Sequence, residues 1–350
     1  MSAAARRGFA SDNAATVHPR VLEALATVNH GHALGYGHDP YTQAVERRLA
    51  AELGVPDAAV CFVFNGSGAN VLSLRVALAP WEAAIVSANA HLHTDEVGAP
   101  EAVAGVKLLV AETVDGRVTL EGVRRLVARP NDEHAVKPGL LSLTQTTELG
   151  TLYTPDEMGA IAELAHAHGL RVHVDGARFA NAAAALGLSL ADLLAASGAD
   201  LLSFGGTKNG LMLGEAVVVL DPALVLGLAH LRKQTLQLAS KMRYVAAQFD
   251  ALLDGGLWLQ NAAHANAMAR RLHVAVSGID AVRVTRPPAA NAVFAVLPEA
   301  ARERLQREFD FYVWDDASGE VRWMCSWDTT ESDVDGFARA VRAAVAAAVG

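Results

Sequence analysis

The sequence predicts an α/β fold in which a doubly wound, mainly parallel sheet of seven strands is followed by a smaller α+β domain. Short apolar runs alternate with helical patterns over residues 59–220, the order typical of parallel strands joined by helices. Several of these runs end in polar clusters, as buried parallel strands do at their carboxyl ends. Asp254-Gly255-Gly256 then interrupts the pattern. We therefore divide the chain into a large domain, residues 1–251, and a small domain, residues 252–350.

The first segments of the chain precede the sheet. Ser11-Asp12-Asn13 form a polar cap before a helical pattern that starts near Val21. Residues 31–40 are rich in Gly and His and contain one aromatic residue, Tyr36, so we expect an irregular loop of the kind that often carries function. A helix over residues 41–53 follows.

A glycine-rich turn links the first predicted strand, residues 59–64, to a helix over residues 71–78. The turn reads Asn65-Gly66-Ser67-Gly68, and it brings together free backbone N–H groups, a helix N-terminus and the Ser67 hydroxyl. Such a turn binds an anion. Because it has neither the GK[ST] ending of a P-loop nor the spaced glycines of a dinucleotide site, it suits a single phosphate.

The other strands of the large sheet are short apolar runs connected by helices. We predict strands at residues 84–87, 106–110, 140–143, 172–174, 201–204 and 216–220. Connecting helices are predicted over residues 118–129 and 155–168, the second with Gly169 as its C-cap. Residues 222–251 read as one unbroken helix that carries several basic side chains.

The last part of the chain has the mixed order of an α+β domain. We predict helices at residues 260–277, 299–308 and 333–349, and strands at 282–284, 292–296, 311–314 and 321–327. Thr330 with Asp333 predicts a capping box for the last helix.

Residues 171–210 contain the side chains with the clearest chemical meaning. One strand there ends in Asp175-Gly176-Ala177-Arg178, and the next ends in Gly205-Gly206-Thr207-Lys208. If the two strands are neighbours, a carboxylate, a guanidinium and a lysine share the sheet edge where ligands bind. Pyridoxal phosphate (PLP) uses such a set, because it forms a Schiff base with lysine and its pyridinium nitrogen contacts an acidic residue. Taken singly, the aspartate is often only a turn former and the lysine a solvated charge.

Two more strand ends bring polar residues to the same edge. His91 follows the strand at 84–87, where it could lie against a cofactor ring or act as a base. The strand at 140–143 leads into Thr144-Gln145-Thr146-Thr147-Glu148. His173 alternates with Asp175, but no third ligand is nearby, so we predict no metal site.

Composition limits the class of protein. A chain of 350 residues, 52% of them hydrophobic, with a mean hydropathy of +0.22, predicts deep burial and subunit interfaces, hence a homo-oligomer. We expect no membrane span and no signal peptide, because no apolar run is long enough. A net charge of −9 without a basic run argues against a nucleic-acid partner. Two cysteines in apolar contexts make no disulfide framework, so we expect a cytoplasmic protein.

Taken together, the motifs resemble those of the L-threonine aldolases, which belong with the β-eliminating lyases among the fold type I PLP enzymes. The matching motifs are Ser11-Asp12, Tyr36-Gly37-His38-Asp39-Pro40, Asn65-Gly66-Ser67-Gly68-Ala69-Asn70, His91 with Glu96 and Gly98, His173-Val174-Asp175-Gly176-Ala177-Arg178, Thr207-Lys208 and Arg322. They cover nearly the whole chain, and the pair HVDGAR and GGTKNG is the most specific part.

The resemblance implies PLP as the cofactor and a role for each matching residue. Lys208 would form the Schiff base, Asp175 would contact the pyridinium nitrogen, and His91 would stack on the ring. Arg178 would contribute to both the cofactor site and the substrate site. The phosphate would be held by Asn65, Gly66 and Ser67.

The resemblance also implies a small-molecule substrate, an L-β-hydroxy-α-amino acid such as L-threonine, allo-threonine or phenylserine. Its carboxylate would be held by Ser11, Arg178 and Arg322, with Arg178 able to do so bidentately. Where many family members have a histidine that contacts the substrate hydroxyl, this chain has Thr147, which predicts weak discrimination between β-epimers. Tyr36 is far in sequence from the other motifs, so we expect it to reach a neighbouring subunit's site in a dimer or tetramer.

The reaction that the resemblance implies is retro-aldol cleavage to glycine and an aldehyde. Asp175 would keep the ring nitrogen protonated, and His91 or a water that it holds would take the β-hydroxyl proton. A β-eliminating lyase or an aminotransferase would use the same lysine and aspartate, because the fold does not separate these activities. A non-catalytic PLP-binding sensor is a further alternative.

Overall fold

The computed structural model describes residues 7–128 and 132–349, and it contains two main sheets and a short hairpin. The strands are β1 (Ala59–Val63), β2 (Glu82–Ser87), β3 (Lys107–Ala111), β4 (Thr113–Val114), β5 (Arg117–Val118), β6 (Lys137–Thr144), β7 (Arg171–Gly176), β8 (Leu201–Gly205), β9 (Glu215–Val219), β10 (Arg283–Arg286), β11 (Ala292–Val296), β12 (Tyr312–Asp315) and β13 (Glu320–Met324).

Helices connect the strands in both parts of the molecule. The α-helices are α1 (Pro19–Thr27), α2 (Pro40–Glu52), α3 (Gly66–Ala77), α4 (His91–Thr94), α5 (Leu120–Val127), α6 (Pro155–Ala167), α7 (Phe179–Leu186), α8 (Leu190–Ser197), α9 (Leu228–Gln234), α10 (Arg243–Leu253), α11 (Leu257–Ser277), α12 (Glu299–Gln306) and α13 (Glu331–Val349). The α5 helix ends before Arg129, where the sequence placed its end, and Arg129 lies outside the described residues.

The large sheet has seven strands in the order β1-β9-β8-β7-β6-β2-β3. Neighbouring strands from β8 through β3 are parallel, and only β9 runs against its neighbours β8 and β1. The carboxyl ends of β1, β2, β6, β7 and β8 therefore lie along one edge. The predicted doubly wound, mainly parallel fold is confirmed.

Both faces of the large sheet are buried. Alternate residues of one strand enter different apolar clusters: Phe62 packs in one, whereas Cys61 and Val63 pack in the other. A strand covered on both sides needs apolar residues at every position, which is why the strands read as continuous apolar runs in the sequence.

The four-stranded sheet, in the order β10-β11-β13-β12, is antiparallel and packs with α11 and α13 around a second core. The N-terminal segment joins this core, because Phe9 stacks on Phe337 with ring centroids 4.4 Å apart. The long α11 helix contributes to both cores, with Trp258 in the first and Leu272 in the second. The boundary between residues 251 and 252 stays a prediction.

The predicted capping box is present at α13, where Thr330 and Asp333 exchange hydrogen bonds between each side chain and the other's backbone N–H. The hairpin of β4 and β5 was not predicted, since two-residue strands leave no periodic pattern.

Within the described residues no single helix has the length and apolar character to cross a bilayer; α7 and α8 meet that test only as a pair bent by 101°.

The prediction of one unbroken helix over residues 222–251 is wrong. A 3-10 helix (Pro222–Gly227) and α9 are separated from α10 by a non-helical turn in which Leu236 has a φ of 62°. Within this turn the Gln237 side chain accepts a hydrogen bond from Phe64 N, and Ser240 O accepts one from Tyr36 N. These contacts with distant segments override the local helical pattern.

Candidate active site

The strand ends of the large sheet converge on a cavity of about 600 Å³. The pairing of β7 with β6 and β8 sets Asp175 opposite Thr144 and Ser203, and Lys208 follows β8 in a 3-10 turn (Thr207–Asn209). The predicted site residues that line the cavity are Ser11, His91, Arg178, Lys208 and Arg322; lining residues that were not predicted as site residues are Asn13, Asn89, Thr94, Asp95, Glu148, Tyr312, Val313 and Trp314.

Lys208 is half-buried and lines this cavity. Burial, reinforced by the positive charge of Arg178, lowers the pKa of Lys208, so its amine loses a proton more readily than a solvated lysine does. Glu215 stabilises the turn before it, accepting a hydrogen bond from Gly206 N at 2.7 Å. A neutral amine is the form of lysine that attacks a carbonyl group.

Asp175 stands at the end of β7 with both carboxylate oxygens hydrogen-bonded. Its Oδ1 accepts from Ala177 N at 3.0 Å, and its Oδ2 accepts from the Asn70 side chain at 2.9 Å. These two hydrogen bonds fix the orientation of the carboxylate, so Asp175 can serve as the acidic partner of a ring nitrogen.

His91 begins α4 and is held from two sides. Its Nδ1 lies 2.9 Å from Glu96 Oε1, and its backbone N donates to Glu148 Oε1 at 2.7 Å. The hydrogen bond to Glu96 raises the pKa of His91 above its ordinary value, although burial opposes the shift. The ring thus carries its proton more tightly than a free histidine.

The glycine-rich turn forms the start of α3, as predicted for an anion cradle. Asn65 caps the helix by accepting a hydrogen bond from Gly68 N at 2.7 Å. A methyl group on Gly66 would meet none of the described atoms within 4 Å, so space lies beside this backbone, whereas one on Gly68 would lie 2.3 Å from Gln237 Cδ. The structure shows no side-chain hydrogen bond for Ser67 in the described part of the chain.

Arg178 forms a buried ion pair that the sequence did not predict. Its Nε and Nη2 donate to the two oxygens of Asp12 at 2.7 and 2.8 Å, and Asn291 donates a third hydrogen bond to Asp12. Burial raises the pKa of the Asp12 carboxyl, but Arg178 more than offsets this and the pKa is lowered. Asp12 occupies the Nε and Nη2 edge of the guanidinium, and Arg178 still lines the cavity, so its binding of a substrate carboxylate stays a prediction.

Arg322 forms fewer hydrogen bonds with the described residues than Arg178 does, so more of its guanidinium can contact a ligand. Its guanidinium lies over the Trp314 ring at 4.4 Å and has one hydrogen bond, to Ala10 O; its buried Nε has no partner among the described residues. Burial, together with Arg178, lowers the pKa of Arg322 to about 10, which leaves it charged at neutral pH. A half-buried cation that forms no ion pair with the described residues favours binding of an anion in the adjoining cavity.

Glu148 lines the cavity at the position next to the predicted Thr147. Thr147 is buried, and its hydroxyl lies 2.7 Å from that of Thr151, so it does not line the cavity. Glu148 Oε1 accepts from Thr144 at 3.1 Å as well as from His91 N, and its buried Oε2 has no partner in the described chain. Burial, and then the charge of Asp175, raise the pKa of Glu148 to about 7.

Two other singled-out residues lie away from the cavity. Tyr36 has a φ of 62° and is 44% exposed, with Lys233 Nζ 5.0 Å above its ring. His173 is buried between Ser142 and Ser203, each 2.9 Å from one of its ring nitrogens. Residues 7–128 and 132–349 contain no group of three or more His, Cys, Asp or Glu side chains placed to hold a metal ion.

The residues at the strand ends fit PLP. A half-buried lysine with a lowered pKa, a hydrogen-bonded aspartate on the neighbouring strand and an open helix N-terminus are the three features that the cofactor requires. A family model described as beta-eliminating lyase matches residues 8–300. The chain belongs to this family of PLP-dependent lyases.

Its relatives define the group more narrowly. Two proteins called low specificity L-threonine aldolase, from Pseudomonas sp. (strain NCIMB 10558) and Pseudomonas aeruginosa, are 41% and 42% identical, over 97% and 95% of this chain and 98% and 96% of their own. A solved structure of Leishmania major threonine aldolase matches with a TM-score of 0.91 and 32% identity, over 97% of this chain and 99% of that one. A putative L-allo-threonine aldolase from Listeria monocytogenes, 17% identical with a TM-score of 0.75 over 93% of this chain and 92% of that one, shares the fold.

Proposed function

We propose that this protein cleaves L-threonine and related L-β-hydroxy-α-amino acids to glycine and an aldehyde by a PLP-dependent retro-aldol reaction. The observation that carries the proposal is one cavity lined by a half-buried lysine, Lys208, by the cations Arg178 and Arg322, and by His91. The lysine amine can bind a carbonyl cofactor, the arginines can attract an amino-acid carboxylate, and the imidazole can accept a hydroxyl proton. The names of the Pseudomonas and Leishmania relatives support the same reaction.

Each residue of the cofactor site has a separate task. PLP supplies a conjugated ring that accepts the electrons released when a bond to the substrate α-carbon breaks. Lys208 would provide the amine that anchors the cofactor, and Asp175, held by two hydrogen bonds, would hold the proton of the ring nitrogen. Asn65, Gly66 and Ser67 at the N-terminus of α3 would hold the phosphate.

The substrate is oriented by charge and then loses a proton. Arg322 holds its carboxylate, and Arg178, neutralised by Asp12, maintains the shape of the wall. Ser11, whose hydroxyl accepts a hydrogen bond from Asn13 N at 3.1 Å, completes the carboxylate site. His91 accepts the β-hydroxyl proton at Nε2, the ring nitrogen that Glu96 does not contact.

The substrate range should be broad. Thr147 does not line the cavity, so it does not contact the substrate directly. The relaxed preference between β-epimers therefore rests on two other grounds: this strand end has no histidine, and the relatives are described as low specificity. Discrimination by one hydrogen bond is worth about 0.5–1.5 kcal/mol, which limits the epimer ratio to roughly tenfold.

The test is product analysis on L-threonine, L-allo-threonine and L-threo-phenylserine. We expect glycine and the matching aldehyde in equal amounts, with kcat/KM for the two threonine epimers within roughly tenfold. With an added 2-oxo acid as amino acceptor, a 2-oxo acid product without ammonia would identify an aminotransferase, whereas a 2-oxo acid released together with an equal amount of ammonia would identify a β-eliminating lyase. Absence of any product from the PLP-loaded protein would leave the sensor.

We also propose a cytoplasmic homo-oligomer in which Tyr36 reaches a neighbouring subunit. Leu34, Tyr36 and Leu236, which we call the Tyr36 patch, are 70%, 44% and 82% exposed. Their segments are tied together by the hydrogen bond from Tyr36 N to Ser240 O. Exposed apolar side chains that cluster in this way are typical of protein interfaces.

Both buried cysteines are unpaired, in keeping with a reducing compartment.

A further inference from the structure

A buried chain of hydrogen bonds connects the two sides of the proposed cofactor site. It runs from His91 Nδ1 to Glu96 Oε1 at 2.9 Å, from Glu96 Oε1 to Asn70 Nδ2 at 3.0 Å, and from Asn70 Nδ2 to Asp175 Oδ2 at 2.9 Å. The Glu96 side chain has no exposed surface, and Asn70 is 2% exposed. His91 and Glu96 are five residues apart, whereas Asn70 is in α3 and Asp175 ends β7, so the fold brings three segments together.

The chemistry of each link indicates which atom donates the hydrogen bond. Only the nitrogen of the Asn70 amide carries hydrogens, and its two hydrogens point to two acceptors, Glu96 and Asp175. Both carboxylates therefore accept a hydrogen bond from the same amide. A carboxylate next to His91 Nδ1 keeps the proton on that nitrogen and leaves Nε2 as the acceptor in the neutral ring.

We propose that Glu96 and Asn70 are positioning residues of the active site: Glu96 sets the tautomer and basicity of His91, and Asn70 joins that pair to Asp175. The proposal rests on the proposed function only where it makes His91 the proton acceptor. In this arrangement a carboxylate orients a catalytic imidazole, as the aspartate of a catalytic triad does. A further feature is the Asn70 amide, which lies between the two carboxylates and donates a hydrogen bond to each.

The other charges that face His91 are known from the structure. Asp175 raises its pKa, Lys208 lowers it, and Glu148 binds its backbone N–H. Because Glu96 makes the largest contribution, removing its charge should dominate any change in the titration of His91.

The first experiment measures the pKa of His91 by NMR in the cofactor-free protein, with the resonance assigned through His91→Gln. Glu96→Gln should lower this pKa by about one unit or more, a tenfold or larger loss of proton affinity. Glu101→Gln, on an exposed carboxylate in the same region, is the matched control and should leave it unchanged. An unchanged pKa in Glu96→Gln would overturn the role of Glu96, whatever the enzyme's activity.

The second experiment separates charge from packing at Asn70 through PLP affinity at pH 8. Asn70→Ala should weaken PLP binding about tenfold, the effect of about 1.4 kcal/mol. Asn70→Asp, which adds a third carboxylate between two others, should weaken it more. A purely structural role predicts the reverse order, because aspartate keeps the shape of asparagine, and that order would overturn the role of Asn70. If both results are as expected and the wild type releases no aldehyde, the proposed reaction fails and the positioning network stands.

Discussion

Asp175 is the residue on which the electron-accepting power of PLP depends. Asp175→Asn should retain cofactor, since Lys208 and the α3 turn are unchanged, but should lower kcat at least about 100-fold, because a neutral amide does not hold a pyridinium proton. The check is kcat together with PLP content, measured by absorbance. Turnover near that of the wild type would remove the assigned role of Asp175.

Glu148 gives a pH dependence with a defined sign. Its pKa is raised from an ordinary 4.5 to about 7 by burial and by Asp175, so ionising it costs more in the folded protein than in the unfolded chain. This contribution therefore lowers stability as pH rises from about 5 to 8. Glu148→Gln should stabilise the cofactor-free protein more at pH 8 than at pH 5, by up to about 3 kcal/mol.

The measurement for Glu148 is urea unfolding at both pH values. Glu163→Gln, on the exposed face of α6, is the control and should give the same small difference at both. A Glu148→Gln effect independent of pH would mean that the carboxyl titrates at its ordinary value.

At the scale of elements, the approach of β7 to β8 sets the distance between the aspartate and lysine segments. A methyl group on Gly205, the last residue of β8, would lie 2.3 Å from the carbonyl oxygen of Ala177, a backbone atom that cannot move aside. Gly205→Ala should therefore cost about 3 kcal/mol of unfolding free energy and weaken PLP binding.

A matched glycine separates strain from substitution itself. Gly278 has a φ of −96°, and a methyl group there would meet no described atom within 4 Å, so Gly278→Ala should change stability by less than about 1 kcal/mol. Equal thermal stability of the two variants would show that the sheet edge adapts to the extra methyl.

The elements that the sequence predicted well are those whose pattern is local. Strand β11 is found at its predicted residues, 292–296, because a strand buried on both faces is apolar throughout. The capping box of α13 depends on two residues three apart. Each of these two signals is contained in a short stretch of neighbouring residues.

What the sequence did not predict depends on distant contacts. The Asp12–Arg178 ion pair joins residues 166 apart, and the turn between α9 and α10 is stabilised by Phe64 and Tyr36. The site residues differ in the same way. Lys208 and Asp175 were predicted from local motifs, whereas Thr147 was predicted as the site residue where the structure has its neighbour, Glu148, lining the cavity. No local pattern distinguishes which of two adjacent polar residues faces a cavity.

At the scale of the whole molecule, the Tyr36 patch predicts shared active sites. Tyr36→Ala and Lys208→Ala variants should each be inactive, and mixing them under conditions of subunit exchange should restore part of the activity, because some sites then combine an intact lysine with an intact tyrosine. Activity of the mixture measures this directly. A fully active monomer by light scattering would contradict the shared site.

The central claim is that Lys208 anchors PLP in this cavity, and borohydride reduction followed by peptide mapping tests it most directly. The sequence has five lysines, so the labelled peptide identifies the anchor without reference to activity. We predict that the reduced cofactor is found on the peptide containing Thr207-Lys208-Asn209, and that Lys208→Ala abolishes labelling. Cofactor fixed to Lys107, Lys137, Lys233 or Lys241 in the wild type would contradict the account.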